Sequence, residues 1–210
     1  MRVSVDGSDV EVPAEATVLE AIHAAGRTVP TLCFDERQAP FGACRVCLVG
    51  VAGAPGPQPA CTTPCRADIE IDTTDAVARR VAAAVVELVL SELPDPPAVH
   101  TELARVAREL GVWGREPRWR GAVRERRQDL RHPYLALRHE LCISCGRCVR
   151  ACDEIQGAFA LTATGRGFEA GIAVGMDVGF RESSCVSCGA CADTCPTDAI
   201  TEPGLLELLA

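Results

Sequence analysis

Eight cysteines towards the C-terminal end obey one spacing rule twice, and this constrains the chain more than any other feature. Cys142, Cys145, Cys148 and Cys152 follow C-x2-C-x2-C-x3-C. Cys185, Cys188, Cys191 and Cys195 repeat it, with Pro196 next. The intervening residues repeat too: Cys142-Ile-Ser-Cys-Gly-Arg-Cys148 returns as Cys185-Val-Ser-Cys-Gly-Ala-Cys191. Residues 139–210 therefore read as one duplicated unit organised around thiols.

This is the spacing of bacterial two-cluster ferredoxins, in which the fourth cysteine of a run ligates the other cluster. Three closely spaced thiolates wrap three corners of an iron–sulfur cube, and the other run supplies the fourth. One [4Fe–4S] cluster is expected on Cys142, Cys145, Cys148 and Cys195. A second is expected on Cys152, Cys185, Cys188 and Cys191. Gly146 and Gly189 fall inside the loops, where backbone must approach the cluster and offer N–H groups to sulfur. Zinc in paired C-x2-C knuckles is the competing reading, but four cysteines per run, twice, disfavour it.

Thirteen cysteines in 210 residues need an explanation that fits the rest of the chain. Aromatic residues make up only 4%, so small cores bury little area and metal clusters are a natural substitute. A net charge of −8 argues against nucleic acid and against anionic membrane surfaces. Every basic residue is arginine, which we read as compositional bias. The N-terminal residues lack the apolar stretch of a signal sequence. The longest apolar run, residues 81–90, is interrupted by Glu87, so no transmembrane segment is expected. A cytoplasmic location with reduced thiols follows as an expectation.

Residues 1–75 read as a small α/β module. Arg2–Val5 and residues 10–12 are β-type runs around Asp6-Gly7, a hairpin signal. Thr17-Val-Leu-Glu20 fits a capping box for a helix running to about Ala25, with Gly26 ending it. Leu48–Val51 and residues 69–71 look like further strands, with turn-rich residues 53–59 between them. Cys33, Cys44, Cys47 and Cys61 form a second constellation, C-x10-C-x2-C-x13-C. Four thiolates on loops of a strand-rich module suit a [2Fe–2S] cluster, although the spacing departs from the plant C-x4-C-x2-C pattern and leaves zinc open. Cys65 competes with Cys61; we favour Cys61 as ligand and Cys65 as a small buried hydrophobe.

Residues 76–138 read as a helical connector. A helix is predicted over residues 75–93, with Arg79, Arg80 and Glu87 off its apolar face, broken by Pro94-Asp-Pro-Pro97. A second is predicted over residues 98–110, stopping at Gly111. Residues 115–131 hold seven arginines against three acids. A solvated face is the preferred reading, and a docking patch for an acidic partner the alternative.

Pro30-Thr-Leu-Cys33, Gly42-Ala-Cys-Arg-Val-Cys47 and Ala60-Cys-Thr-Thr63 resemble the [2Fe–2S] domain of the large iron–sulfur subunit of respiratory complex I. The resemblance implies a β-grasp ferredoxin fold with Cys33, Cys44, Cys47 and Cys61 as ligands. Cys148-Val-Arg-Ala-Cys-Asp-Glu-Ile-Gln-Gly157, Phe159-Ala-Leu-Thr162 and Gly165-Arg-Gly-Phe168 resemble the two-cluster segment of NAD-linked molybdenum or tungsten formate dehydrogenase alpha subunits. The diaphorase iron–sulfur subunits of bidirectional hydrogenases share the cysteines and the Gly-Arg-Gly. The implied fold is α+β: an N-terminal β-grasp [2Fe–2S] domain, a helical middle segment, and a C-terminal bacterial-type 2×[4Fe–4S] ferredoxin domain.

The chain departs from that pattern in the middle. The family carries a further cluster on one histidine and three cysteines. Here no cysteine lies between Cys65 and Cys142, and Leu93 occupies the histidine position of Ser91-Glu-Leu-Pro94. His100 is the nearby histidine, and one histidine cannot hold a cubane. We expect one [2Fe–2S] and two [4Fe–4S] clusters, without the histidine-ligated one. Electrons then cross the gap by compaction of the fold, through a partner's cluster, or by serving another acceptor. No Gly-rich phosphate loop or hydrolase pattern is present. Catalysis is expected on partners: a molybdopterin subunit, or a [NiFe] hydrogenase subunit in the diaphorase alternative, with a flavin- and NAD(P)-binding iron–sulfur subunit. A free-standing ferredoxin-like carrier is the third reading.

Overall fold

Strands β1 (Arg2–Val5) and β2 (Ser8–Glu11) pair antiparallel across a two-residue turn in which Asp6 and Gly7 both take positive φ, 49° and 77°. That is the turn whose twist matches a hairpin. It closes at once, so β2 begins two residues before the predicted start. The computed structural model describes residues 1–123 and 128–204, which divide into two units.

The first unit comprises Met1–Phe34, Pro40–Leu88 and Val106–Arg118. Helix α1 (Val18–Ala24) opens with the predicted capping box: Glu20 N–H donates to Thr17 Oγ1 (3.3 Å) and Thr17 N–H donates to the Glu20 carboxylate (2.6 Å). It ends at Gly26 (φ 68°), where Arg27 N–H bonds back to Ile22 C=O at 3.0 Å. Strands β3 (Leu48–Val51), β4 (Gln58–Pro59) and β5 (Glu70–Asp72) complete a mixed sheet in the order β2-β1-β5-β3-β4, with β1 and β5 parallel. Val18, Leu19, Ala21 and Ile22 of α1 pack with Val3, Val5, Val49 and Ile71 of the sheet. One helix grasped by a mixed sheet is the β-grasp arrangement. Cys47, Cys61 and Cys65 lie in this core.

Helix α2 (Ala76–Ser91) stops before Pro94, as predicted. Glu87 corrects the expectation of a polar outer face. It is 9% exposed and receives the Arg118 backbone N–H (2.6 Å) and guanidinium (2.7 Å). Arg118 is therefore paired within the first unit. Residues 124–127 of the predicted arginine-rich stretch lie outside the described residues.

The second unit comprises Asp35–Ala39, Val89–Arg105 and Trp119–Ala210. Residues 76–138 are thus shared between the units. Helix α3 (Glu102–Glu109) starts later than residue 98, because Thr101 Oγ1 caps it by accepting from Ala104 N–H at 3.2 Å. Strand β6 (Ala136–Leu137) pairs with the last strand, Ile200–Thr201, and the short helix α4 (Arg147–Arg150) runs into a π-helical turn, Ala151–Gln156. Strands β7 (Leu161–Thr164) and β8 (Gly171–Val174) form a hairpin; helix α5 (Ala190–Asp193) and β9 (Ile200–Thr201) follow. At Gly165 (φ 68°) a Cβ would collide with the Glu169 carbonyl, so this glycine is required by the turn. The core is aliphatic, with Leu135, Leu137, Leu161, Ile172 and Val174 around Phe180, and it includes Cys148, Cys152 and Cys191.

Candidate iron–sulfur centres

The four N-terminal candidates come together in the first unit. Cys33, Cys47 and Cys61 are buried and Cys44 is half-buried. Cys44 N–H donates to Cys33 Sγ at 3.4 Å. Hydrogen bonds from the Cys44 and Cys61 thiols pull Cys33 down to about 2, and the same contacts push Cys44 and Cys61 up. Cys47 is lowered to about 7 by its contact with Cys61. One thiolate is thus stabilised by its neighbours' protons; ionising all four needs a cationic centre, which iron supplies. Cys65 stands apart: burial, then Glu20, push its thiol up, and its N–H is tied to Ala16 C=O at 2.8 Å.

The C-terminal candidates form two separate groups in the second unit. Cys142, Cys145, Cys148 and Cys195 line a small cavity with Leu137, Ile143 and Ile172. Cys152, Cys185, Cys188 and Cys191 line another with Leu135, Leu161 and Phe180. In each cavity the fourth sulfur comes from the other run. Among the described residues no three His, Cys, Asp or Glu side chains gather tightly enough for a single metal ion. Sulfurs spread around an apolar void suit a cluster, whose irons hold them apart.

The two halves share their loop geometry. Ser144 and Ser187 take positive φ (54° and 58°) and each donates its N–H at 3.4 Å to the sulfur two residues before, Cys142 or Cys185. Gly146 (75°) and Gly189 (78°) then start α4 and α5. The fourth sulfurs also receive backbone: Ala160 N–H to Cys152 at 3.2 Å and Ile200 N–H to Cys195 at 3.5 Å. Such bonds stabilise negative charge on sulfur. Burial pushes the Cys145 and Cys191 thiols up to about 12 and raises Cys148 well above its ordinary value, so iron rather than solvent must drive their ionisation.

His100 Nε2 lies within hydrogen-bond distance of the Asp198 carboxylate (2.6 Å), and Leu93 is buried. Three residues that are not cysteines prove to support the cysteine loops: His132, which bonds Ser187, and Arg147 with Thr194. No spacing rule marks them. A cleft lined by residues of β1, β3 and β5 contains no cysteine.

Residues 1–76 match the family described as "2Fe-2S iron-sulfur cluster binding domain", and residues 141–199 match "4Fe-4S dicluster domain". The chain is 35% identical over 174 residues to the NADPH-Fe(3+) oxidoreductase subunit alpha of Geobacter sulfurreducens, covering 80% of this chain and 20% of that one. It is 30% identical over 207 residues to the NADH-ubiquinone oxidoreductase 75 kDa subunit of Reclinomonas americana, covering 96% and 29%. It thus spans less than a third of the length of these relatives. A chain of the NAD+-reducing [NiFe]-hydrogenase crystal structure superposes with a TM-score of 0.87 at 26% identity, covering 96% of this chain and 87% of that one. The chain therefore joins a 2Fe–2S ferredoxin domain to a 4Fe–4S dicluster domain, homologous to the iron–sulfur subunits of complex I-type and NAD(P)-linked oxidoreductases.

Proposed function

We propose that this chain is an electron-transfer subunit of an NAD(P)-linked oxidoreductase complex and itself transforms no substrate. The observation that carries the reading is the crossed gathering of cysteines into two four-sulfur cavities, together with a third set of four in a β-grasp domain. Cys33, Cys44, Cys47 and Cys61 would hold a [2Fe–2S] cluster. Cys142, Cys145, Cys148 and Cys195 would hold one [4Fe–4S] cluster, and Cys152, Cys185, Cys188 and Cys191 the other. Bound clusters supply one-electron chemistry; the protein's levers are N–H bonds to sulfur, burial and nearby charge. Cys188 is the exposed member of its set, so a redox partner would approach there.

Formate dehydrogenase is the complex we favour, with a molybdopterin catalytic subunit and a flavin- and NAD(P)-binding subunit. Phe159-Ala-Leu-Thr162 and Gly165-Arg-Gly-Phe168 support it. The diaphorase of a NAD-reducing [NiFe] hydrogenase is the second reading, supported by the superposition on the hydrogenase structure. Among the described residues no helix is long and apolar enough to cross a membrane. Purification from the native source tests all of this. Co-purifying molybdenum or tungsten supports the first reading and nickel the second. A stable monomer with no partner overturns both. The chain itself should carry about ten irons, two plus four plus four.

A further inference from the structure

The two runs differ at five of their eleven positions, and one buried network uses two of those differences. Where the first run has Arg147 between Cys145 and Cys148, the second has Ala190; where Thr194 precedes Cys195, Ala151 precedes Cys152. The Arg147 side chain is 6% exposed. Its Nε donates to Thr194 Oγ1 (2.9 Å), Nη1 to Glu102 (2.7 Å) and Nη2 to Asp35 (3.4 Å). Thr194 Oγ1 in turn donates to Asp35 Oδ2 at 2.7 Å and receives Gln38 Nε2 at 3.4 Å. Arg37 pairs with Asp35 at 2.9 Å and with Asp193 at 3.4 Å.

We propose that Arg147 is a positioning and charge-setting residue for the centre on Cys142, Cys145, Cys148 and Cys195, making it distinct from its twin. The inference rests on the cluster reading above. Geometrically, one guanidinium ties the loop carrying Cys145 and Cys148 to the segment carrying Cys195, the ligand that crosses from the other run. Electrostatically, reduction adds one negative charge to the centre. A cation fixed in a poorly solvated place favours that form, and an adjacent carboxylate opposes it. Arg147 and Glu102 therefore act with opposite sign. The second centre has no arginine at the matching position.

The test is a redox titration of the intact iron-loaded chain, followed by paramagnetic resonance, for Arg147→Met, Arg147→Lys and Glu102→Gln. Arg147→Met should lower one of the two [4Fe–4S] potentials, cutting the reduced-to-oxidised ratio at fixed potential at least about tenfold, which is 59 mV for one electron. Glu102→Gln should raise the same potential, and Arg147→Lys should recover more than half of the loss. The other cluster should not move. An unchanged potential in Arg147→Met, or a shift of like sign in Glu102→Gln, overturns the proposal. If Arg147→Met fails to hold iron, the signs for the other two variants decide. Absence of both [4Fe–4S] signals from the unsubstituted chain would instead overturn the cluster reading itself.

Discussion

The Cys61 thiol hydrogen-bonds Cys33, whereas Cys65, four residues further on, is held by its backbone against Ala16 and does not share that contact. Two cysteines close in sequence thus face different chemistry. Cys61→Ser should abolish the [2Fe–2S] signal and lower iron from about ten to about eight per chain. Cys65→Ser should keep both the signal and the iron, with a stability cost of about 1–3 kcal/mol for burying a hydroxyl. Iron analysis with paramagnetic resonance decides; loss of the signal in Cys65→Ser would reverse the ligand assignment.

Crossed ligation has a signature in double variants. If Cys195 and Cys142 serve one cluster, removing both costs no more iron than losing that cluster once. Cys142→Ser with Cys195→Ser should retain about six irons, whereas Cys142→Ser with Cys152→Ser should retain about two. The reverse result, about two irons in the first double variant and about six in the second, would mean that each run keeps its own cluster.

Glu20 gives the first unit a pH dependence of known sign. Hydrogen bonds from the Thr17 backbone, then its side chain, hold the Glu20 carboxyl below its ordinary value of 4.5. A carboxyl lowered in the folded state contributes stability above its unfolded pKa and loses it as pH falls through the folded one. Thr17→Ala should cost about 1 kcal/mol at pH 7 by removing the cap. The stability gap between the unsubstituted chain and Glu20→Gln should narrow from pH 7 to pH 4. Rapid urea unfolding at the two pH values measures it, and a gap that widens in acid would contradict the cap's charge.

The capping box and the Asp6-Gly7 hairpin were legible in the sequence because each is a rule about spacing within one stretch of chain. Glu87 was misread for the opposite reason. On a helical wheel it lies off the apolar face, and the distant Arg118 makes its burial tolerable. The β7–β8 hairpin was hidden as well: its strands leave a turn containing the Gly-Arg-Gly motif, which reads as family signature before it reads as Gly165 avoiding Glu169. Thr194 and Arg147 belong to repeats that align cleanly, and their meaning comes from the places where the alignment fails.

His132 supports the second cysteine loop from outside the motif. Its Nδ1 accepts the backbone N–H groups of Tyr134 (3.2 Å) and Leu135 (3.1 Å), so the proton sits on Nε2, which faces Ser187 Oγ at 3.1 Å. Ser187 holds a positive φ between Cys185 and Cys188 while donating its N–H to Cys185 Sγ. Ser144 in the first loop is anchored instead to the Ala170 carbonyl at 3.3 Å. His132→Ala should therefore loosen only one of the two loops. Exposed to a chelator, that variant should release about four irons about tenfold faster than the unsubstituted chain, while about six leave at the original rate. Uniform acceleration of all the iron would show that His132 stabilises the fold at large, and unchanged release would show that Ser187 keeps its conformation alone.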